Sequence, residues 1–183
     1  MARRIAYIGE PVLTLEQVAY QCRLEPEDLQ QDLITGVIIP GVTHQCEQRS
    51  GAAIRLATYE EEWPEDYPSG HYLDVGQARE VLAVERVEPD GTAMALTVPF
   101  NLRRLGREAR LYFSDGRPHG VLRIRYSAGV DLETHPSVRL WLLMQCGTAH
   151  EFRETLVAGT ILAELPPTHL DGLLAEITVP PRF

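Results

Sequence analysis

With 183 residues, 44% of them hydrophobic and 23% charged, the chain has the composition of a globular protein long enough to bury a real core in one domain, with room for an inserted subdomain. A formal net charge of -9 argues against sequence-independent binding of nucleic acid, which needs a basic surface facing the phosphates. No apolar run reaches the length that spans a bilayer, and MARRIAYIGEP lacks the apolar core and cleavage site of a secretory signal, so an intracellular product without membrane contact is expected.

From the N-terminus, Thr14 with Gln17 three residues on is a capping box, and Leu15, Val18 and Ala19 give the short helix over about 14–24 its apolar face. Pro26 opens a second helix, over about 26–50, with Glu25, Glu27 and Asp28 near the turn where the helix dipole favours carboxylates. Two apolar rows run along it, Leu29-Leu33-Val37 and Ile34-Ile38-Val42-Cys46. Pro40 lies inside that pattern and removes the hydrogen bond to the Gly36 carbonyl, so the helix should bend there or stop and restart. Gly51 ends it.

The period then changes. Runs 53–59, 81–87, 94–98, 109–113 and 121–126 are short and rich in β-branched and aromatic residues, with Pro89-Asp90-Gly91 and Ser114-Asp115-Gly116 as turns between them. They form a β-rich insert over about 53–127, in which 81–98 is the clearest hairpin. Within it Glu60, Glu61, Glu62, Glu65 and Asp66, with Trp63 and Tyr67 among them, read as an acidic loop too charged to be buried and suited to docking or to facing a channel.

The strongest helical signal runs over about 136–157. Pro136 suits the first helical position behind a Thr134 or His135 cap, and Val138, Leu142, Ala149, Phe152 and Leu156 share a stripe with Gln145. Leu140, Trp141, Leu142, Leu143 and Met144 are consecutive, which makes that turn apolar all round. Such a turn must be covered on more than one side, either wholly by its own domain or partly by a neighbouring copy through Leu140, Trp141, Leu143 and Met144. Pro166-Pro167 precedes a last short helix, about 168–177, built on Leu170, Leu173, Leu174 and Ile177. The end, 178–183, is an extended tail, because two prolines forbid a helix. The fold expected is α+β: mainly a helical bundle, with an inserted small antiparallel β subdomain and an extended C-terminal tail.

Chemistry is sparse. HEFRE at 150–154 resembles a zinc-protease helix until Glu154 stands where the second histidine belongs, and His44 with Cys46 lacks a third ligand. Nucleotide-binding, calcium-loop and serine-hydrolase motifs are missing. Cys22, Cys46 and Cys146 are far apart and suit buried small apolar residues better than a disulfide framework. The expectation is a protein that is not an enzyme, with no catalytic residue, cofactor or metal. The alternative from another class is a small intracellular metal-binding enzyme using His44, Cys46 and His150. All seventeen basic residues are arginine, the side chain suited to bidentate pairs at protein interfaces.

Several segments keep a recognisable order: 15–24 followed by the helix ending at Ser50-Gly51, the strand and turn over 84–91, Tyr126-Ser127-Ala128-Gly129 leading to Pro136, Arg153-Glu154 late in the long helix, and 170–183 at the end. In this order the chain resembles the head-to-tail connector, or adaptor, proteins of tailed bacteriophages and phage-like gene transfer particles. Pro40 and the acidic stretch after Tyr59 depart from the pattern. The resemblance implies a structural virion protein of the neck, made in the host cytoplasm. Copies of it would form a dodecameric ring between the portal protein and a stopper or tail protein, and DNA would pass through the ring without specific binding. Another neck component, a stopper or tail-completion protein, is the neighbouring reading. Twelve copies at this charge carry roughly a hundred negative charges, and an acidic channel wall would repel DNA phosphates. The tail residues Ile177, Val179, Pro180, Pro181, Arg182 and Phe183 suit docking in a portal groove.

Overall fold

The computed structural model describes residues 2–152 and 167–180. The elements run β1 (Arg3–Tyr7), α1 (Leu15–Cys22), a 3-10 turn at Pro26–Asp28, α2 (Gln31–Leu33), a π turn at Ile34–Ile38, α3 (Ile39–Ser50), β2 (Ala57–Trp63), β3 (His71–Tyr72), β4 (Ala78–Val87), β5 (Ala93–Ala95), β6 (Phe100–Leu105), β7 (Glu108–Phe113), β8 (Val121–Ala128), α4 (Pro136–Glu151) and α5 (Pro167–Leu174). They gather into two compact units, each made from segments far apart in sequence. One comprises Met1–Glu10, Gly51–Val130 and Ile177–Phe183, the other Pro11–Ser50 and Asp131–Glu176.

The β unit holds two antiparallel sheets, one of order β1-β2-β8-β4-β5 and one of order β3-β7-β6. Its core includes Tyr59, Trp63, Val84, Leu111, Phe113, Leu122, Ile124 and Tyr126 from β2, β4, β7 and β8, with Leu73 just after β3. The β4–β5 hairpin closes through Glu88–Thr92. Gly91 adopts φ 85°, a conformation open to glycine at no steric cost, while Asp90 Oδ1 accepts from the Thr92 amide at 2.8 Å.

In the helical unit the Thr14 capping box forms as its residues predict, with the Gln17 amide donating to Thr14 Oγ1 at 3.3 Å and the Thr14 amide to Gln17 Oε1 at 3.0 Å. The helix expected over 26–50 is interrupted. Leu29 and Gln30 are extended, and Leu29 is buried. Before Pro40 the helix widens, the Ile39 amide bonding to the Ile34 carbonyl five residues back. Pro40 cannot donate to Gly36 and its ring crowds that carbonyl, which a wider turn relieves. On α4, His135 is the cap, and Val138, Trp141, Leu142 and Cys146 are buried.

The expectation of a mainly helical bundle fails, because 33% of the described residues are helix and 30% strand, arranged as an α+β fold with two antiparallel sheets. The shortfall has a physical cause. Strands β1 and β6 form sheet edges and are exposed along nearly their whole length, so they carry no in-out alternation for a sequence reading to find. The helix expected over 136–157 is described to Glu151, and Arg153, Glu154 and Leu156 lie outside the described residues.

Candidate functional site

The stretch expected to be an acidic loop is mostly strand. Residues 57–63 form β2, and their side chains divide between two faces: Tyr59, Glu61 and Trp63 go into the core, while Glu60 and Glu62 go outward. The outward face is a cross-strand ladder in which carboxylates alternate with guanidinium groups. Glu60 lies opposite Arg3 on β1 and Arg125 on β8, and Glu62 opposite Arg123. Glu60 takes Arg3 Nη2 at 3.2 Å and Arg125 Nε at 3.5 Å, Glu62 takes Arg123 Nη2 at 2.9 Å, and Arg125 also pairs with Glu85. The charge of Glu60 and Glu62 is therefore largely neutralised within the chain.

Glu61 corrects the expectation that the stretch is too charged to be buried. It is only 3% exposed, with Oε1 accepting from Trp63 Nε1 at 2.6 Å and Oε2 from the Asp74 amide and the Tyr126 hydroxyl, each at 2.9 Å. The Tyr126 oxygen in turn accepts from the Val75 amide at 3.2 Å. Burial pushes the Glu61 carboxyl above its usual range, and the donors around it oppose that shift. Trp63 and Tyr67 are not free for a partner: Trp63 is in the core, and Tyr67 packs against it and against His71, at ring separations of 6.3 and 3.8 Å. Glu65 and Asp66 are exposed beyond the strand, where Glu65 Oε1 accepts from the Gly120 amide at 3.2 Å.

On α4 the four residues offered as a subunit interface separate. Leu140 is 45% exposed, Leu143 and Met144 are half-buried, and Trp141 is fully buried, so its ring is not available at a surface. In the tail, Ile177 is buried, Val179 lies against Gly51 and Gly76, and Pro180 is exposed. The start of the tail is thus part of the β unit. Pro181, Arg182 and Phe183 lie outside the described residues.

The metal-site alternative is not assembled. His44 is exposed and Cys46 buried on the same helix, with the Cys46 thiol pushed up to about 12 by burial. His150 instead lines an open groove of about 350 Å³ with Cys22 and Glu151. Among the described residues no group of three or more His, Cys, Asp or Glu side chains is placed to hold a metal.

A basic hairpin escaped the sequence reading. Strands β6 and β7 turn through Gly106 and carry Arg103, Arg104, Arg107 and Arg110 within eight positions. The run RRLGREAR was legible as a charge cluster around a turn. The negative total masked it.

No protein-family model matches the sequence, and no curated protein does. Solved structures match over its whole length. A chain in the neck of an empty gene transfer agent particle, computed with C6 symmetry, aligns with TM-score 0.76 and 12% identity, covering 100% of this chain and 97% of that one. A chain in the virion of a native gene transfer agent particle aligns with TM-score 0.78, 13% identity and the same coverage. A chain in the neck of a native particle, computed with C12 symmetry, aligns with TM-score 0.68 and 13% identity. The chain has the fold of proteins found in the necks of gene transfer agent particles, the group to which its order of segments pointed.

Proposed function

We propose that this protein is a structural component of the head-to-tail neck of a phage-like particle. In this reading identical copies form a ring below the portal, join it to the next neck or tail protein, and leave a channel through which DNA passes without specific binding. The observation that carries the reading is a fold match spanning essentially all of both chains, to structures from gene transfer agent necks. The six- and twelvefold symmetries of those necks support a ring of such an order, and twelve copies is the number we favour. The adaptor position, directly on the portal, is preferred over that of a stopper or tail-completion protein because the sequence resemblance is to adaptors.

Surface chemistry refines the roles. Leu140, Leu143 and Met144 are the apolar groups of α4 that a neighbouring copy can cover. Portal docking falls to Pro180 and the residues after it, since Ile177 and Val179 already pack in the β unit. Of the acidic stretch, Glu65 and Asp66 are the groups left to repel DNA from a channel wall, because Glu60 and Glu62 are ion-paired.

Deletion of the gene tests the reading. Electron microscopy of the resulting particles should show filled heads without tails, and restoring the protein should return a ring at the neck. Complete tailed particles in its absence would refute it.

A further inference from the structure

The β6–β7 hairpin is a surface its own chain leaves unbalanced. Between Phe100 and Arg110 it carries four arginines against one carboxylate, and none of the four forms an ion pair among the described residues. Arg103 and Arg110 stand directly opposite each other in the register, a like-charge pairing that destabilises a sheet. Each guanidinium is stacked instead on a tyrosine, Arg103 over Tyr112 at 4.9 Å and Arg110 over Tyr72 at 3.9 Å. Stacking fixes the plane of each fork; Arg110 also donates from Nη2 to the Tyr72 hydroxyl, whereas the exposed Arg103 keeps its N–H edges open to an acceptor. Phe100 and Leu105 are 40% and 54% exposed on the same edge strand.

The segment Tyr20–Asp32 has the complementary character. It carries Glu25, Glu27, Asp28 and Asp32 against the single Arg23; the four carboxylates are exposed and form no ion pair among the described residues. Beside them Tyr20 is 88% and Leu24 39% exposed. Each surface thus combines a net charge with exposed apolar side chains, and the signs are opposite.

We infer that the β6–β7 hairpin of one copy docks on the Tyr20–Asp32 segment of a second copy. Two different patches of one chain that fit each other make a head-to-tail contact, and such contacts close into rings when the rotation per step divides a full turn. Matched charge fixes the register of the pair and the apolar groups give it adhesion. This inference rests on the neck reading, since it supplies the contact that repeats around the ring.

Particles are made with four versions of the full chain: wild type, R103E/R104E/R107E, E25R/E27R/D28R, and all six substitutions together. Copies per particle are counted by quantitative mass spectrometry, with thermal melting of each variant as the control for folding. Either reversal alone should reduce incorporation more than tenfold, and the six-substitution chain should recover to within twofold of wild type. Equal incorporation of all four, or loss without recovery in the combined chain, overturns the contact and leaves the neck reading standing. Absence of the wild-type protein from particle necks overturns both. Retention of a 20-base-pair duplex that the hairpin reversal abolishes and the segment reversal leaves unchanged would give the hairpin to nucleic acid, and overturns the inference.

Discussion

Replacing Glu61 with Ala withdraws one carboxylate from three donors at once: the Trp63 indole, the Tyr126 hydroxyl and the Asp74 amide. Trp63 and Tyr126 are 1% and 0% exposed, so water cannot take the place of the lost acceptor for either of them. A buried donor left unsatisfied costs about 1–3 kcal/mol, so the two together should lower stability by about 2–6 kcal/mol. Glu61→Gln keeps the shape but turns an N–H toward one of the donors, so it should cost about 1–3 kcal/mol. The measurement is urea unfolding followed by tryptophan fluorescence, to which Trp63 reports directly. The pH dependence supplies a second check. Burial raises the Glu61 carboxyl above its ordinary value of 4.5, so over the window from that value up to the raised one the folded state holds the proton more tightly than the unfolded state. The contribution is full below 4.5 and is lost as the pH rises through the folded value, so the advantage of wild type over Glu61→Gln should shrink as the pH climbs through that window. If both substitutions leave unfolding within about 0.5 kcal/mol of wild type, a value typical of surface changes, the network does not hold the β unit together.

Other expectations follow from single contacts. A methyl group at Gly129 would sit 2.7 Å from the Leu56 Cα, so Gly129→Ala should lower stability by about 1–3 kcal/mol, read as a fall in melting temperature. Arg125 serves both Glu85 and Glu60, whereas Arg3 reaches Glu60 from a side chain 76% exposed. Arg125→Ala should therefore cost about 1 kcal/mol and Arg3→Ala less than about 0.5 kcal/mol, with both effects smaller in high salt. Burial holds the Cys46 and Cys146 thiols at about 12, so alkylation of the folded protein at pH 8 should label Cys22 first and the other two only after unfolding. Removal of Pro181, Arg182 and Phe183 should leave melting unchanged while weakening attachment to the portal; removal from Thr178 onward should also lower the melting temperature, because Val179 packs on Gly51 and Gly76. Unchanged attachment after the shorter cut would end the docking role of the tail.

Local signals in the sequence were enough to determine the Thr14–Gln17 cap, the start of α4 at Pro136, the β4–β5 hairpin around Gly91 and the buried states of Cys46 and Cys146. Each depends on residues within a few positions or on a period that one covered face imposes. Tertiary structure alone decided the rest. Glu61 is buried because Trp63, Tyr126 and the Asp74 amide converge on it from up to 65 residues away, and Glu60 and Glu62 are ion-paired because Arg3, Arg123 and Arg125 reach them across neighbouring strands. A run of carboxylates reads as solvated until strand pairing sets cations opposite it, and pairing between distant strands leaves no mark on the order of residues along either one.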